Sequence, residues 1–187
     1  MSLSAPQLAT LKAHIAANQD PAVISAAATG NDTELARLYN LPSTFYVWRS
    51  TTPADEIADA ILWDRLTPVD TPDGSAIQTN RLLLCQAKQM NLQVLLQGRD
   101  TIGTGRLNLR NGLSDALQNV PSAAGGAPQD AGWAGAGRVK AVINRLATVA
   151  ERAFATGTGT TAVPGNLGSF AGDLTIQDIG DIRNYNP

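Results

Sequence analysis

Two side chains in this 187-residue chain could serve as a base or nucleophile titrating near neutral pH: its one histidine, His14, and its one cysteine, Cys85. Any Ser-His-Asp or Cys-His arrangement would have to use His14, which sits beside Ile15 in an apolar-periodic stretch. Cys85 follows Leu82, Leu83 and Leu84, the setting of an inert core thiol. One His and one Cys cannot make the Cys/His sets that hold structural zinc, which needs about four ligands. Asp55, Glu56 and Asp59 fall in the first turns of an expected helix, where capping or a solvated face accounts for them. Asp70 and Asp73 lie in a turn-rich loop without the spacing of a calcium-binding loop. Carboxylates converging from distant segments remain an open alternative. Two Gly-rich stretches, Gly98 to Gly105 and Ala124 to Gly137, suggest phosphate cradles, but neither has a Walker lysine or a preceding strand. The expectation is a protein without catalytic residues, metal or cofactor.

Composition bounds the rest. Hydrophobic residues make up 43% and aromatics only 5%, so the core must be built from Leu, Ile, Val and Ala, which favours packed helices. The net charge of -2 argues against a dedicated nucleic-acid binder. Of the 14 basic residues only Lys12, Lys88 and Lys140 are lysine, a bias that fits either a GC-rich genome or a surface that becomes buried. The lone cysteine rules out an intrachain disulfide. The N-terminus shows no signal-peptide pattern, and no run approaches the ~20 apolar residues of a spanning helix. These features predict a soluble protein made in a cytoplasm.

The elements follow from start and stop signals. Ser4 with Pro6, Asp20-Pro21 and Asp32 open three short helices, with Thr29-Gly30 closing the second. Thr44 to Trp48 is β-branched and aromatic and should be extended. Thr52-Pro53 opens a helix to about 63, and Thr67-Pro68, Thr71-Pro72 and Asp73-Gly74 mark a loop. Residues 75–97 form the clearest helix: Leu83, Ala87, Met90 and Val94 recur at 4-3-4 spacing, with Leu84, Leu92, Leu95 and Leu96 widening the stripe. A further helix is expected over 101–119. A last long one is expected over 133–156, carried by Val139, Val142, Ile143, Leu146, Val149, Ala150 and Phe154. The expected fold is mainly α: a helical bundle over 1–156 with a short extended segment near 44–48.

From Gly157 the character changes. Thr156 to Thr161 is small and polar, as in a flexible linker. Apolar content then returns in Phe170, Leu174, Ile176, Ile179, Ile182 and Tyr185. Residues 157–187 read as an extended C-terminal arm whose apolar residues would bind a partner; the alternative is a tail folded back on its own domain. Trp48, Trp63 and Trp133 read as core or interface fillers, and Trp48 with Arg49 could offer an edge to a partner.

The stretch from Phe45 to Gly125 resembles a family of small virion proteins of tailed bacteriophages. The resemblance is carried by Tyr46-Val47-Trp48-Arg49, Ile61-Leu62-Trp63-Asp64, Asn80-Arg81-Leu82-Leu83-Leu84, Gln89-Met90-Asn91-Leu92-Gln93 and Asp115-Ala116-Leu117 to Asn119-Val120-Pro121-Ser122. In size and helix layout the chain is most similar to the head-to-tail connector, or adaptor. That resemblance implies a homo-oligomeric ring, usually of about twelve subunits, bridging the portal protein to the next neck or tail protein. DNA would pass through such a ring without sequence-specific binding, and the chain would reside in the virion. A capsid decoration or tail-completion protein is the alternative of the same class. An enzyme or small-ligand binder with scattered site residues is the alternative of another.

Overall fold

Start and stop residues in the N-terminal third form the helices they specify. The computed structural model describes the backbone of residues 3–67, 76–122 and 127–186, and the side chains of all of these but 76–78. Helix α1 (Ala5–Ala16) opens with Ser4, whose N–H donates to Gln7 Oε1 at 2.8 Å. Helix α2 (Pro21–Thr29) opens with Asp20 accepting the Ala22 N–H and closes at Gly30, left-handed at φ +66°. Helix α3 (Asp32–Tyr39) is capped by Asn31. Then come strand β1 (Pro42–Trp48), strand β2 (Thr52–Pro53), helix α4 (Ala54–Ala60) and a 3-10 turn (Trp63–Leu66). Helix α5 (Ala76–Leu96), strand β3 (Thr101–Ile102) and helix α6 (Leu107–Leu117) follow. Helix α7 (Val139–Val142), strand β4 (Asn144–Thr148), helix α8 (Val149–Arg152) and helix α9 (Ile176–Asn184) complete the chain. The expected loop signals from Pro68 to Gly74 lie outside the described residues.

Helix is the main regular structure, but two-stranded sheets (β1 with β4, β2 with β3) make the class mixed rather than a pure bundle. The chain divides into two compact units, residues 1–47 with 146–187 and residues 48–145. That division replaces the expected break between a body ending at 156 and an arm beginning at 157. In the first unit α9 packs on α1 and α3, around a core of Leu11, Val23, Leu35, Tyr39, Ala150, Phe170, Leu174, Ile179 and Ile182. In the second, α4, α5, α6 and α7 enclose Ile57, Leu66, Cys85, Leu92, Ile102, Leu113, Leu117, Trp133, Val139 and Ile143. Its β2–β3 ladder is antiparallel, Thr52 opposite Ile102.

The long helix expected over 133–156 does not form. Asp130 gathers the N–H groups of Gly132 and Ala134 at 2.7 and 2.9 Å, together with that of Trp133. Gly132, Gly135 and Gly137 all take positive φ, so residues 131–138 turn instead of coiling. At Gly132 an added Cβ would lie 2.8 Å from the Ala60 carbonyl, so that turn also depends on close backbone approach. After the single helical turn of α7 the chain extends into β4. The apolar face read as one helix is therefore divided: Val139 and Ile143 fill the second unit's core, while Ala150 fills the first unit's and half-buried Phe154 packs against it. Strand pairing and separate cores outweighed a helical period rich in β-branched residues. Similarly, the helix expected over 101–119 is confined to α6, because Thr101–Ile102 is taken by the sheet and Gly103–Arg106 by a turn.

Candidate functional site

Helix α5 carries apolar residues on two opposite sides. Cys85 and Leu92 point into the second unit's core, with Leu95 and Leu96 half-buried beside them. Gly112 of α6 sits against the Leu95 side chain, where an added Cβ would lie 3.5 Å away. Two hydrogen bonds hold the inner side: Lys88 Nζ donates to the Gln118 carbonyl at 2.7 Å, and Gln89 Nε2 to the Leu66 carbonyl at 3.1 Å. Burial lowers the Lys88 pKa. The opposite side is open. Leu83, Met90 and Val94 are 56, 63 and 69% exposed, and Ala87 lies exposed between them. This is the 4-3-4 stripe that marks the helix in the sequence, and the structure turns it outward. Cys85 and Leu92 each follow a stripe residue by two positions, roughly 200° round the helix at ~100° per residue. Apolar residues on both sides of one helix were the signal that the stripe had a second use.

Trp48 and Arg49 are engaged within the second unit. Trp48 packs on that core, and the Arg110 guanidinium lies 4.6 Å over its ring. Arg110 is itself buried, donating to the Thr104 and Gly105 carbonyls at 3.0 and 2.7 Å, and burial lowers its pKa. The neighbouring hydroxyls of Thr52 and Thr104 bond at 2.9 Å, and the Thr104 hydroxyl also donates to the Arg49 carbonyl. Arg49 Nη1 reaches Glu56 at 2.6 Å and the Val142 carbonyl at 3.2 Å, while its N–H bonds to the Ile143 carbonyl. Trp133 is buried as expected. Trp63 is exposed, its indole N–H donating to the Ala58 carbonyl, and it borders an open groove of about 560 Å³ with Ala54, Ala58, Leu92 and Leu96.

The residues expected to arm a C-terminal extension fold onto their own unit. Phe170, Leu174, Ile179 and Ile182 are buried in its core. Ile176 is exposed, and Tyr185 is half-buried with its carbonyl accepting Lys12 Nζ. Asn40 brackets the segment through both amide atoms, accepting the Leu174 N–H at 2.8 Å and donating to the Leu174 carbonyl at 2.9 Å. Buried Glu151 accepts the N–H groups of Thr148 and Gly172. The Thr/Gly run is docked too: Tyr46 N–H donates to the Gly159 carbonyl and Gly165 N–H to the Tyr46 carbonyl, both at 2.8 Å. The glycines let the Phe45 ring reach the backbone, and a Cβ on Gly165 would lie 2.6 Å from the Thr156 carbonyl oxygen. Here glycine marks close packing, not a linker.

The two candidates for chemistry stand apart. His14 Nδ1 lies 3.0 Å from the Tyr39 hydroxyl, and its pKa is lowered by burial and by the Arg152 charge. Cys85 is buried, which raises its thiol pKa. A cavity of about 260 Å³ in the first unit is lined by Ile15, Ala27, Leu35, Ile179 and Ile182. Among its lining residues Lys12 donates to the Arg183 and Tyr185 carbonyls at the end of α9, and Arg183 pairs with Asp32. Among the described residues no cluster of His, Cys, Asp or Glu could hold a metal ion, and no helix is long and apolar enough to cross a membrane. No family model, no curated protein and no solved structure matches the chain.

Proposed function

We propose that this chain is a non-enzymatic assembly subunit that works by presenting the outward face of α5 to another protein. The single observation behind this reading is the exposure of Leu83, Met90 and Val94 at helix-pairing spacing. With Ala87 and Leu84 they form a contiguous exposed apolar strip, the kind of surface that often serves as an interaction site. His14 and Cys85, the chemistry-bearing pair, lie in different units and each is held in its own packing.

The finer placement is a structural protein of a tailed-bacteriophage virion, an adaptor ring subunit between the portal and the neck or tail. It is supported by the resemblance over Phe45 to Gly125, a segment that contains α5. A low-lysine, mildly acidic subunit suits a passage for DNA, because phosphate contacts through Lys and Arg are what create grip. The C-terminal segment, expected to reach a neighbour, would in this reading support the subunit's own fold. Native mass measurement on the purified full chain tests the assembly reading. A multimer is the expected result; a stable monomer, alone and beside the portal protein, would overturn it.

A further inference from the structure

We infer that the partner of the α5 face is the same face of a second copy of this chain, the two helices crossing antiparallel about a two-fold axis. The inference rests on the assembly reading above and names the partner that reading leaves open.

The stripe itself carries the argument. Its four residues, Leu83, Ala87, Met90 and Val94, keep the 4-3-4 spacing of a helix-pairing seam. Set antiparallel against itself, the stripe places Leu83 opposite Val94 and Ala87 opposite Met90. Each layer then matches a larger residue with a smaller one, the combination that fills space between facing helices. A parallel pairing in register would put Ala87 on Ala87, leaving a gap, and Met90 on Met90, crowding the next layer. A two-fold contact requires that residue i meet j while j meets i, and the antiparallel stripe satisfies this at both layers.

Charge allows it as well. The stripe is flanked by Asn80, Gln86, Asn91, Gln93 and Gln97, all uncharged, so two identical faces meet without like-charge repulsion. The helix's charged residues, Arg81 and Lys88, fall on its half-buried inner side. A membrane-surface helix has the opposite pattern, with cations flanking its apolar face at the lipid boundary. Four apolar residues of the C-terminal segment, Phe170, Leu174, Ile179 and Ile182, already fill the first unit's core and so do not cover the stripe. A two-fold contact closes on itself, so it builds pairs and leaves ring closure to other faces.

Cysteine cross-linking tests the geometry on the full chain. One preparation carries Leu83→Cys, another Val94→Cys; both sites are exposed, and the unchanged chain controls for buried Cys85. Under mild oxidation the mixed preparations should give a disulfide-linked dimer of one of each. Either preparation alone should give little, since like positions in the antiparallel pair sit ~16 Å apart along the axis at 1.5 Å per residue. Efficient linking within each single preparation would overturn the antiparallel arrangement. No link in any preparation, with native mass still reporting a multimer, would overturn α5 pairing and leave the assembly reading standing. A monomer by mass would overturn both.

Discussion

Residues 157–182 and helix α5 put their apolar residues to opposite uses. The first segment, rich in Gly and Thr, has the composition of a loose arm, yet it is fastened to the first unit by backbone pairing, a bracketing Asn40 and four buried side chains. The second carries a regular apolar stripe, and that stripe faces outward. Periodicity reports that a surface wants covering; it does not say whether the cover comes from the same chain. In α5 the inner side is already satisfied by less regular residues, including the stems and polar ends of Lys88 and Gln89.

Removing the C-terminal segment should break the comparison most visibly. A chain ending at Thr156 loses Phe170, Leu174, Ile179 and Ile182 from the first core, each contributing ~2 kcal/mol by burial. The first unit should then lose its protection in amide exchange, while the second keeps its own. A true arm would leave both units protected. Gly165→Ala is the sharper single change. Its Cβ would press on Phe45 and the Thr156 carbonyl, and an overpacked site of this kind costs ~1–3 kcal/mol, measurable as a lowered denaturation midpoint. A linker glycine would tolerate alanine.

A smaller effect should appear with pH. His14 has a folded pKa below its ordinary value of 6.5, so the unfolded chain binds the proton first. The first unit therefore keeps its full stability above that value and loses part of it as pH falls through 6.5 toward the folded pKa. Comparing melting curves at several pH values for the native chain and His14→Gln isolates the effect, since the variant should lose less on acidification. An identical pH dependence in both would show that His14 is not the group responsible.

Much of the fold was legible where capping chemistry is local. Ser4, Asp20, Gly30 and Asp32 mark their helix ends within a few residues of sequence, the cap of the third being Asn31. The stretch 133–156 was not, because its outcome depends on Asp130 drawing in three N–H groups and on β1 offering a pairing edge to β4. Neither is visible in the helical spacing of Val139 to Phe154. The candidate site was half-legible. The stripe residues were identifiable on α5, but which side the core would take depends on how α6 and the 3-10 turn dock, a property of distant segments. The Trp48–Arg49 pair is apparent in sequence, whereas its partners Arg110, Glu56 and Val142 come from three other elements.

The central claim is that the outward stripe is an assembly surface and not part of any core. Met90→Lys tests it most directly, by sedimentation velocity over a concentration series beside a thermal melt. An exposed Met contributes little to its own fold, so at a concentration low enough to dissociate both chains the melts should differ by less than about 0.5 kcal/mol in stability. The native chain should sediment as a larger assembly than the variant, which should lack the association that α5 pairing builds. A variant that self-associates as the native chain does, or that melts like a core mutant, would contradict the account.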